Sequence, residues 1–313
     1  MSGIEPLTRV SRTLAAVAAL AVAASSCSIK TMAVKTVANT LSESGDVFSR
    51  DEDPELVRDA VPFALKLYES LLESVPRHEP LLVATCASFT QYAYAFLETD
   101  ADILGEAHHE ESKALRERAL KMYVRARGYC LRAIDVRFGE KASDRLLQDP
   151  AAVVAKAKKT DVELLYWTAA SWGSAISLGL DKPDLAVDFP TVRVLADRAI
   201  ALDPAWHNGA LHELFISLDS LPEALGGNAD RAKDHFTKAV DLQKGLSPGP
   251  YVSFATGVMV ASQNRAEFER LLKAALAIDP EKDPSNRLAT LVTQKRAQAL
   301  LDQIETQFSK NTP

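Results

Sequence analysis

Cysteine is scarce in this chain, which has 313 residues but contains only Cys27, Cys86 and Cys130. So few cysteines allow at most one internal disulfide and exclude a zinc site built from several cysteines. Basic charge is not in excess either, because 36 Lys and Arg residues stand against 42 Asp and Glu residues, a formal net charge of −6. The overall charge therefore provides no basic field for nucleic acid or for an anionic membrane surface.

Long apolar runs are also missing, apart from residues 13–23 (TLAAVAALAVA), which follow Arg9 and Arg12. A helix needs about 20 apolar residues to span a bilayer, so this shorter run is typical of a signal peptide. The run ends in Ala24-Ser25-Ser26-Cys27, where small residues precede a cysteine. This ending resembles a bacterial lipobox, in which the cysteine thiol is lipidated and becomes the first residue of the mature protein.

The lipobox resemblance implies that residues 1–26 are a lipoprotein signal peptide and that Cys27 carries the lipid anchor. Several acyl chains hold a protein on a membrane stably, whereas a single chain does so only marginally. Ser28 rather than Asp follows the cysteine, which favours the outer membrane. We therefore expect a protein on the periplasmic face of the envelope, with lipid as its only membrane contact. The alternative is a plain secretory signal cleaved near Ala23.

Strand patterns are nearly absent, because no alternation of apolar and polar residues rich in β-branched side chains continues beyond a few positions. Apolar residues recur instead at helical spacing, and prolines such as Pro76, Pro204 and Pro280 stand between the helical runs. The sequence therefore predicts an all-α fold. The predicted helices cover residues 30–42, 54–75, 81–98, 110–135, 161–179, 189–202, 206–219, 228–244, 250–263, 264–278 and 285–308.

One motif recurs in these helices, in which small or aromatic residues at helical spacing are followed by a proline. Its complete copies are Ala64-Tyr68-Leu71-Pro76, Val192-Ala196-Ala199-Pro204 and Phe268-Leu272-Ala275-Pro280. The motif resembles the second helix of a tetratricopeptide repeat (TPR), whose period is about 34 residues.

The TPR resemblance implies a single TPR-like solenoid of helical hairpins over residues 27–313, in which residues 27–53 form a tether and a first helix. Inserted helices are expected near residues 138–159. A C-terminal helix over 285–308 is expected to cap the solenoid, because a terminal repeat must hide its open face. The cap should pack Leu288, Leu291, Leu301 and Ile304 against the preceding hairpin.

The two helices of a predicted hairpin differ in charge. Residues 80–97, 164–180 and 245–264 contain no charged side chain, whereas residues 113–132 and 230–244 are rich in charge. The first helices of such solenoids line the concave inner face. An uncharged inner layer is therefore either a packed core or an apolar groove.

Aromatic residues of the inner layer stand beside Ala, Ser and Gly, a mixture that leaves large apolar walls and gaps and so suits a ligand cavity. Trp167 and Trp172 are five positions apart, hence about 140° apart around a helix, so one of them should belong to the core. The predicted ligand site is an apolar cleft or channel with polar groups that orient a head group; its residues are Trp167, Trp172, Trp206, His212 and Tyr251. The alternative is an inner layer that is solid core.

Catalytic patterns do not assemble in this sequence. The sequence pattern of a nucleophile elbow, G-x-S-x-G, occurs at Gly245-Leu246-Ser247-Pro248-Gly249. This segment joins two predicted helices, however, and Pro248 lacks the N–H group that an oxyanion hole needs. His108 and His109 are adjacent and point apart on a helix, which favours a solvated helix end over a metal site. We therefore expect no catalytic residue, resident metal or cofactor, and a protein that is not an enzyme.

The two remaining cysteines fall on different predicted helices, Cys86 on an inner helix and Cys130 on an outer one. Buried cysteines behave as small apolar residues. Two buried free thiols are therefore favoured over a disulfide.

The C-terminal half carries more specific stretches than a generic repeat. These are residues 201–212 (ALDPAWHNGALH), 220–227 (SLPEALGG), 245–252 (GLSPGPYV), Gln263-Asn264-Arg265 and Asn286-Arg287-Leu288-Ala289. Together with the lipobox they resemble the T-component of TRAP-transporter-associated proteins, a family of periplasmic lipoproteins. The resemblance covers about residues 27–308 and is clearest from residue 160 onward.

This resemblance implies a helical, TPR-like body that partners a TRAP-type extracytoplasmic substrate-binding protein. It also implies a small ligand that is apolar or carries a carboxylate. The charge balance predicts no nucleic-acid partner, and a homo-oligomer, with a trimer as the expected state, is a further expectation. The alternative function is a TPR scaffold that binds peptides or partners during envelope assembly. An enclosed, uncharged cavity favours ligand handling, whereas an open groove lined by Asn, Lys and Arg favours the scaffold.

Overall fold

The computed structural model describes residues 34–40 and 46–308. Every regular element within these residues is helical, which confirms the all-α prediction. Cys27 and the predicted signal peptide lie outside the described residues. The helix predicted over 30–42 is described only at residues 34–40, where it is helical.

Ten helices carry most of the packing. The bounds of most of them agree with the predicted ones within a few residues, but the helices predicted over 81–98 and 250–263 change from α- to π-helical geometry at Ala93 and Ala255. The ten helices are α1 (Pro54–Ser74), α2 (Glu79–Tyr92), α3 (His109–Phe138), α4 (Val162–Leu178), α5 (Phe189–Leu202), α6 (Ala210–Asp219), α7 (Ala229–Leu242), α8 (Gly249–Phe254), α9 (Arg265–Leu276) and α10 (Arg287–Asp302). Shorter helices cover Asp46–Ser49, Thr99–Leu104, Ala142–Leu146, Pro150–Val154, Pro183–Ala186 and Ile304–Phe308. Two of them, Ala142–Leu146 and Pro150–Val154, are the predicted inserted helices.

Side-chain caps explain where several helices begin. The Asp53 carboxylate accepts hydrogen bonds from the backbone N–H groups of Glu55 and Leu56, which start α1. Asn228 and Asn264 cap α7 and α9 in the same way. Each cap satisfies N–H groups that have no partner inside the helix. Helix α1 therefore begins at Pro54, where the predicted helix begins, and it continues through Pro62.

Each numbered helix packs mainly on its neighbours in the chain, α2 on α3, α3 on α4, α4 on α5 and α6 on α7. The short side chains of the recurring motif are buried in these contacts. Ala196 and Ala199 of α5 have no exposed surface, and neither have Leu272 and Ala275 of α9. Small residues allow two helices to approach closely, so the motif marks packing faces.

Cys86 of α2 and Cys130 of α3 form a disulfide, with their Cα atoms 5.5 Å apart. The prediction of two free thiols is therefore wrong. Both cysteines are fully buried and belong to the core that α2 and α3 share. Helix packing brings the two Cα atoms within the separation that a disulfide requires, which spacing along the sequence does not reveal.

The C-terminal helix closes the fold instead of capping one end. Leu301 and Ile304 pack on the core around α8 and α9, as predicted, but Leu288 packs on the N-terminal core. Helix α10 also contacts α1, Asp46–Ser49 and Thr99–Leu104. The Gln303 side-chain amide donates to the carbonyls of Asp102 and Ile103, at 3.2 and 2.8 Å. The last helix therefore joins the two ends of the helical array.

Candidate functional site

The structure separates the two tryptophans of α4, as their angular spacing requires. Trp172 is 1% exposed and packs in the main core, with the Arg127 guanidinium 4.9 Å from its ring centroid. Trp167 is half-buried and lies beside Tyr166, with ring centroids 4.8 Å apart. The third tryptophan, Trp206, lies 4.6 Å from the other side of Tyr166. We call Tyr166, Trp167 and Trp206 the aromatic trio.

An unusual turn places Trp206 against Tyr166. His207, Asn208 and Gly209 all have positive φ, at 43°, 53° and 92°. A Cβ on Gly209 would lie 3.0 Å from the side chain of Leu242, so glycine permits a close approach to α7. The helix predicted over 206–219 is therefore α-helical only from Ala210 onward. Three left-handed residues in succession cost conformational energy, which the surrounding packing has to offset.

His212 lies away from the trio, in a polar cluster between α6 and α7. It is 6% exposed, and its Nδ1 atom is 2.8 Å from Nδ1 of His235. Burial lowers the pKa of His212 to about 4 and also lowers the pKa of His235. The fully buried Asp219 completes the cluster, because its Oδ1 accepts from Arg193 and Arg231 at 2.6 and 3.0 Å. The cluster joins α5, α6 and α7.

Tyr251 contacts a different set of rings. It packs edge-on against Phe236, with ring centroids 5.5 Å apart, and Phe236 stacks on Phe254 at 4.9 Å. The five predicted ligand residues thus do not form one continuous wall. Trp167 and Trp206 meet at Tyr166 and pack against the core that contains Trp172, whereas His212 and Tyr251 lie in other environments.

A carboxylate that the sequence does not single out lies near the trio. Glu213 of α6 is half-buried, and its Oε2 accepts from the Gln243 amide at 3.3 Å. A Cβ on Gly249 would lie 2.1 Å from Glu213 Oε1, so only glycine leaves room for this carboxylate. Burial raises the pKa of Glu213, which favours its protonated form more than in water.

Glu213 shares its surroundings with two tyrosines and an arginine. Burial raises the pKa of Tyr166 and Tyr94, and the negative charge of Glu213 adds to both shifts. The Arg296 guanidinium of α10 donates to the Tyr94 hydroxyl at 3.0 Å and to Asp102 at 2.7 Å. Burial disfavours the charged form of Arg296, but nearby carboxylates, above all Asp102, raise the pKa of this guanidinium overall.

These groups lie close to one another in the interior of the fold, because Tyr166 interacts electrostatically with both Glu213 and Tyr94. Burial is the largest influence on the pKa of Tyr94, Tyr166, Glu213 and Arg296 alike. Together they combine the aromatic trio with the Glu213 carboxyl group, the Tyr94 phenol and the Arg296 guanidinium. We call these residues the interior site.

The described residues offer little support for a metal site, a catalytic serine or a membrane-spanning helix. Within residues 34–40 and 46–308, no group of three or more His, Cys, Asp or Glu side chains could hold a metal ion. Ser247 lies in the turn before α8, where its hydroxyl accepts from the Gly249 N–H at 3.3 Å. In the same part of the chain, no helix is both long and apolar enough to cross a bilayer.

The sequence matches the TRAP transporter T-component family over residues 50–308. This match covers most of the chain, so the protein belongs to that family, whose members are transport accessories. A protein of Treponema pallidum (strain Nichols), described only as uncharacterized, is 28% identical over 303 residues. The alignment covers 90% of this chain and 93% of the relative, so the two proteins share nearly their whole length.

Proposed function

We propose that this protein is a lipid-anchored periplasmic accessory of a TRAP-type transport system. In this role it pairs with the extracytoplasmic substrate-binding protein and handles a small ligand that is hydrophobic or carries a carboxylate. Membership of the T-component family supports an accessory role in TRAP transport. The remaining parts of the proposal rest on the sequence features and contacts described above.

Two observations favour a periplasmic, lipid-anchored protein. Residues 13–23 and Cys27 have the pattern of a lipoprotein signal peptide. The Cys86–Cys130 disulfide fits an oxidising compartment such as the periplasm, because thiols stay reduced in the cytosol. Ser28 after the cysteine supports anchoring at the outer membrane.

The helical packing supports a TPR-like arrangement. Consecutive helices pack in pairs, and the motif residues Val192, Ala196 and Ala199 are fully buried where α5 meets its neighbours. The return of α10 to the N-terminal elements joins the two ends of the helical array and departs from an open solenoid. A closed array favours handling of a small ligand over holding an extended peptide.

The observation that carries the ligand proposal is the composition of the interior site. The aromatic trio offers an apolar wall, and Glu213 with Tyr94 and Arg296 offers hydrogen-bonding groups nearby. An apolar wall with a few polar groups is the usual design of a small-molecule site. The Arg296 guanidinium of the interior site suits the carboxylate of a fatty-acid-like ligand.

Titration with dodecanoate tests this proposal. Trp206→Ala should weaken dodecanoate binding roughly tenfold or more, because it removes an aromatic wall from the apolar part of the site. Phe63→Ala is the matched control, since Phe63 is 75% exposed and lies outside the interior site. Unchanged affinity in Trp206→Ala would contradict the interior site. Binding of extended peptides in place of dodecanoate would favour the scaffold function.

A further inference from the structure

A cavity of about 540 Å³ lies at the C-terminal end of α3 and beside the two inserted helices. Four cationic side chains line it, together with the apolar Phe138 and the carboxylate of Asp149; the cations are Arg137, Arg145, Lys156 and Lys158. We call this cavity the basic pocket. It stands out in a chain whose formal net charge is −6.

The positive charge of the basic pocket is only partly compensated. The Asp149 carboxylate accepts from the Ala152 N–H at 3.0 Å, and Arg137 Nε donates to Asp161 at 2.5 Å. Within residues 34–40 and 46–308, the ammonium groups of Lys156 and Lys158 form no hydrogen bond or ion pair. Unpaired ammonium groups beside a cavity attract an anion, because Coulomb energy is larger next to a low-dielectric wall than in bulk water.

The shape and lining of the basic pocket indicate what kind of anion it accepts. Its volume exceeds what one inorganic phosphate needs, and Phe138 and Val153 contribute apolar wall beside the cations. A phosphate ester attached to glycerol and the start of an acyl chain would satisfy both parts. The favoured ligand is therefore a phosphate group on a lipid.

The position of the pocket in the fold agrees with a lipid ligand. Residue 34 is seven positions after Cys27, and seven residues span at most about 25 Å. The helix at 34–40 packs on the main core, and the charge of Lys35 lowers the pKa of His78. The next residue, Glu79, interacts electrostatically with Arg137 of the pocket. A lipid at Cys27 would thus hold this end of the molecule near the membrane surface.

We propose that the basic pocket binds the phosphate headgroup of an anionic membrane lipid and so orients the anchored protein on the bilayer. This inference rests on the proposed lipid anchor, which would hold the basic pocket beside the membrane lipids that it binds. The anchor supplies attachment, and the pocket fixes which side of the helical fold faces the membrane. The electrostatic contribution near an anionic surface is about fivefold in affinity for each Lys or Arg.

Soluble ligands separate this site from the anchor. The full chain carrying Cys27→Ser, which removes the lipidated thiol, is titrated with dihexanoyl phosphatidylglycerol and, separately, with inorganic phosphate. We expect the lipid to bind more tightly than phosphate. Replacing both lysines, Lys156→Gln with Lys158→Gln, should weaken lipid binding about tenfold or more. The matched control is Lys113→Gln with Lys121→Gln, which removes two exposed charges from α3.

Each result of this experiment has a distinct meaning. Equal binding of lipid and inorganic phosphate would overturn the lipid assignment. An unchanged affinity after loss of Lys156 and Lys158 would overturn the site itself, provided that circular dichroism shows a folded variant. Failure of the anchor is measured separately, by whether the wild-type chain carries acyl groups at Cys27.

Discussion

Two tryptophans of α4 that are five positions apart have opposite roles at the scale of single residues. Trp172 is 1% exposed and packs in the main core, whereas Trp167 belongs to the aromatic trio. Trp172→Ala should lower the free energy of unfolding by about 3–5 kcal/mol, because it leaves a large cavity. Urea denaturation measures this change. Trp167→Ala should lower stability less, and equal losses for both variants would mean that Trp167 is core as well.

The His212–His235 pair makes stability depend on pH. Burial lowers the pKa of His212 to about 4, compared with about 6.5 in an unfolded chain. Between these values the unfolded state binds more protons, so stability should fall as pH decreases from 6.5 to 4. His212→Asn can keep a hydrogen bond to His235 but does not titrate, so its unfolding free energy should fall less over this range. Parallel pH profiles for the two proteins would contradict this assignment.

The sequence predicts part of the candidate site and misses the rest for a physical reason. Aromatic residues beside small residues single out Trp167 and Trp206, which both contact Tyr166, and their role in ligand binding stays a prediction. Glu213 and Arg296 carry no such signal, because charged residues are common on helix surfaces. Only the packing of α6, α8 and α10 around them shows that they face inward.

At the scale of secondary-structure elements, adjacent residues of helix α10 face different environments. The Arg296 side chain is 11% exposed and pairs with Asp102, whereas the Lys295 side chain is 51% exposed and pairs with Glu55 at 2.9 Å. Arg296→Gln should destabilise the protein by about 3 kcal/mol, because it leaves buried carboxylates without their cation. Lys295→Gln should cost at most about 1 kcal/mol.

Thermal denaturation of both variants measures this difference. A large loss for Lys295→Gln, or none for Arg296→Gln, would contradict the view that α10 closes the fold through Arg296. Arg116 also pairs with Asp102, at 2.7 Å, so Asp102 keeps one cation after Arg296→Gln. The expected loss of stability for this variant is therefore at the lower end of the range for a broken buried ion pair.

Helix positions are predicted well from the sequence, but the interruptions within them are not. Apolar spacing and prolines locate α1, α3, α5 and α9 within a few residues of their observed bounds. The π-helical turns Ala93–Glu98 and Ala255–Met259, by contrast, leave no mark in the apolar spacing of the sequence. The positive φ angles of His207 and Asn208 are likewise not apparent from the sequence.

The proposed attachment to the membrane is a property of the whole molecule. Cys27→Ser should move the protein from the membrane fraction to the soluble periplasmic fraction, because the variant lacks the thiol that we propose to carry the lipid. Its far-UV circular dichroism should remain that of a helical protein. Fractionation after a salt wash makes the comparison. If the variant stays with the membrane, an element other than Cys27 holds it there.

The central claim for the whole molecule is that it acts together with a TRAP-type substrate-binding protein. Sedimentation of this protein with a TRAP-type substrate-binding protein from the same organism tests the claim most directly. We predict a stable complex that retains dodecanoate, and we predict that Trp206→Ala keeps the complex but loses dodecanoate. Absence of any complex, together with binding of extended peptides by this protein alone, would contradict the account and favour a scaffold role.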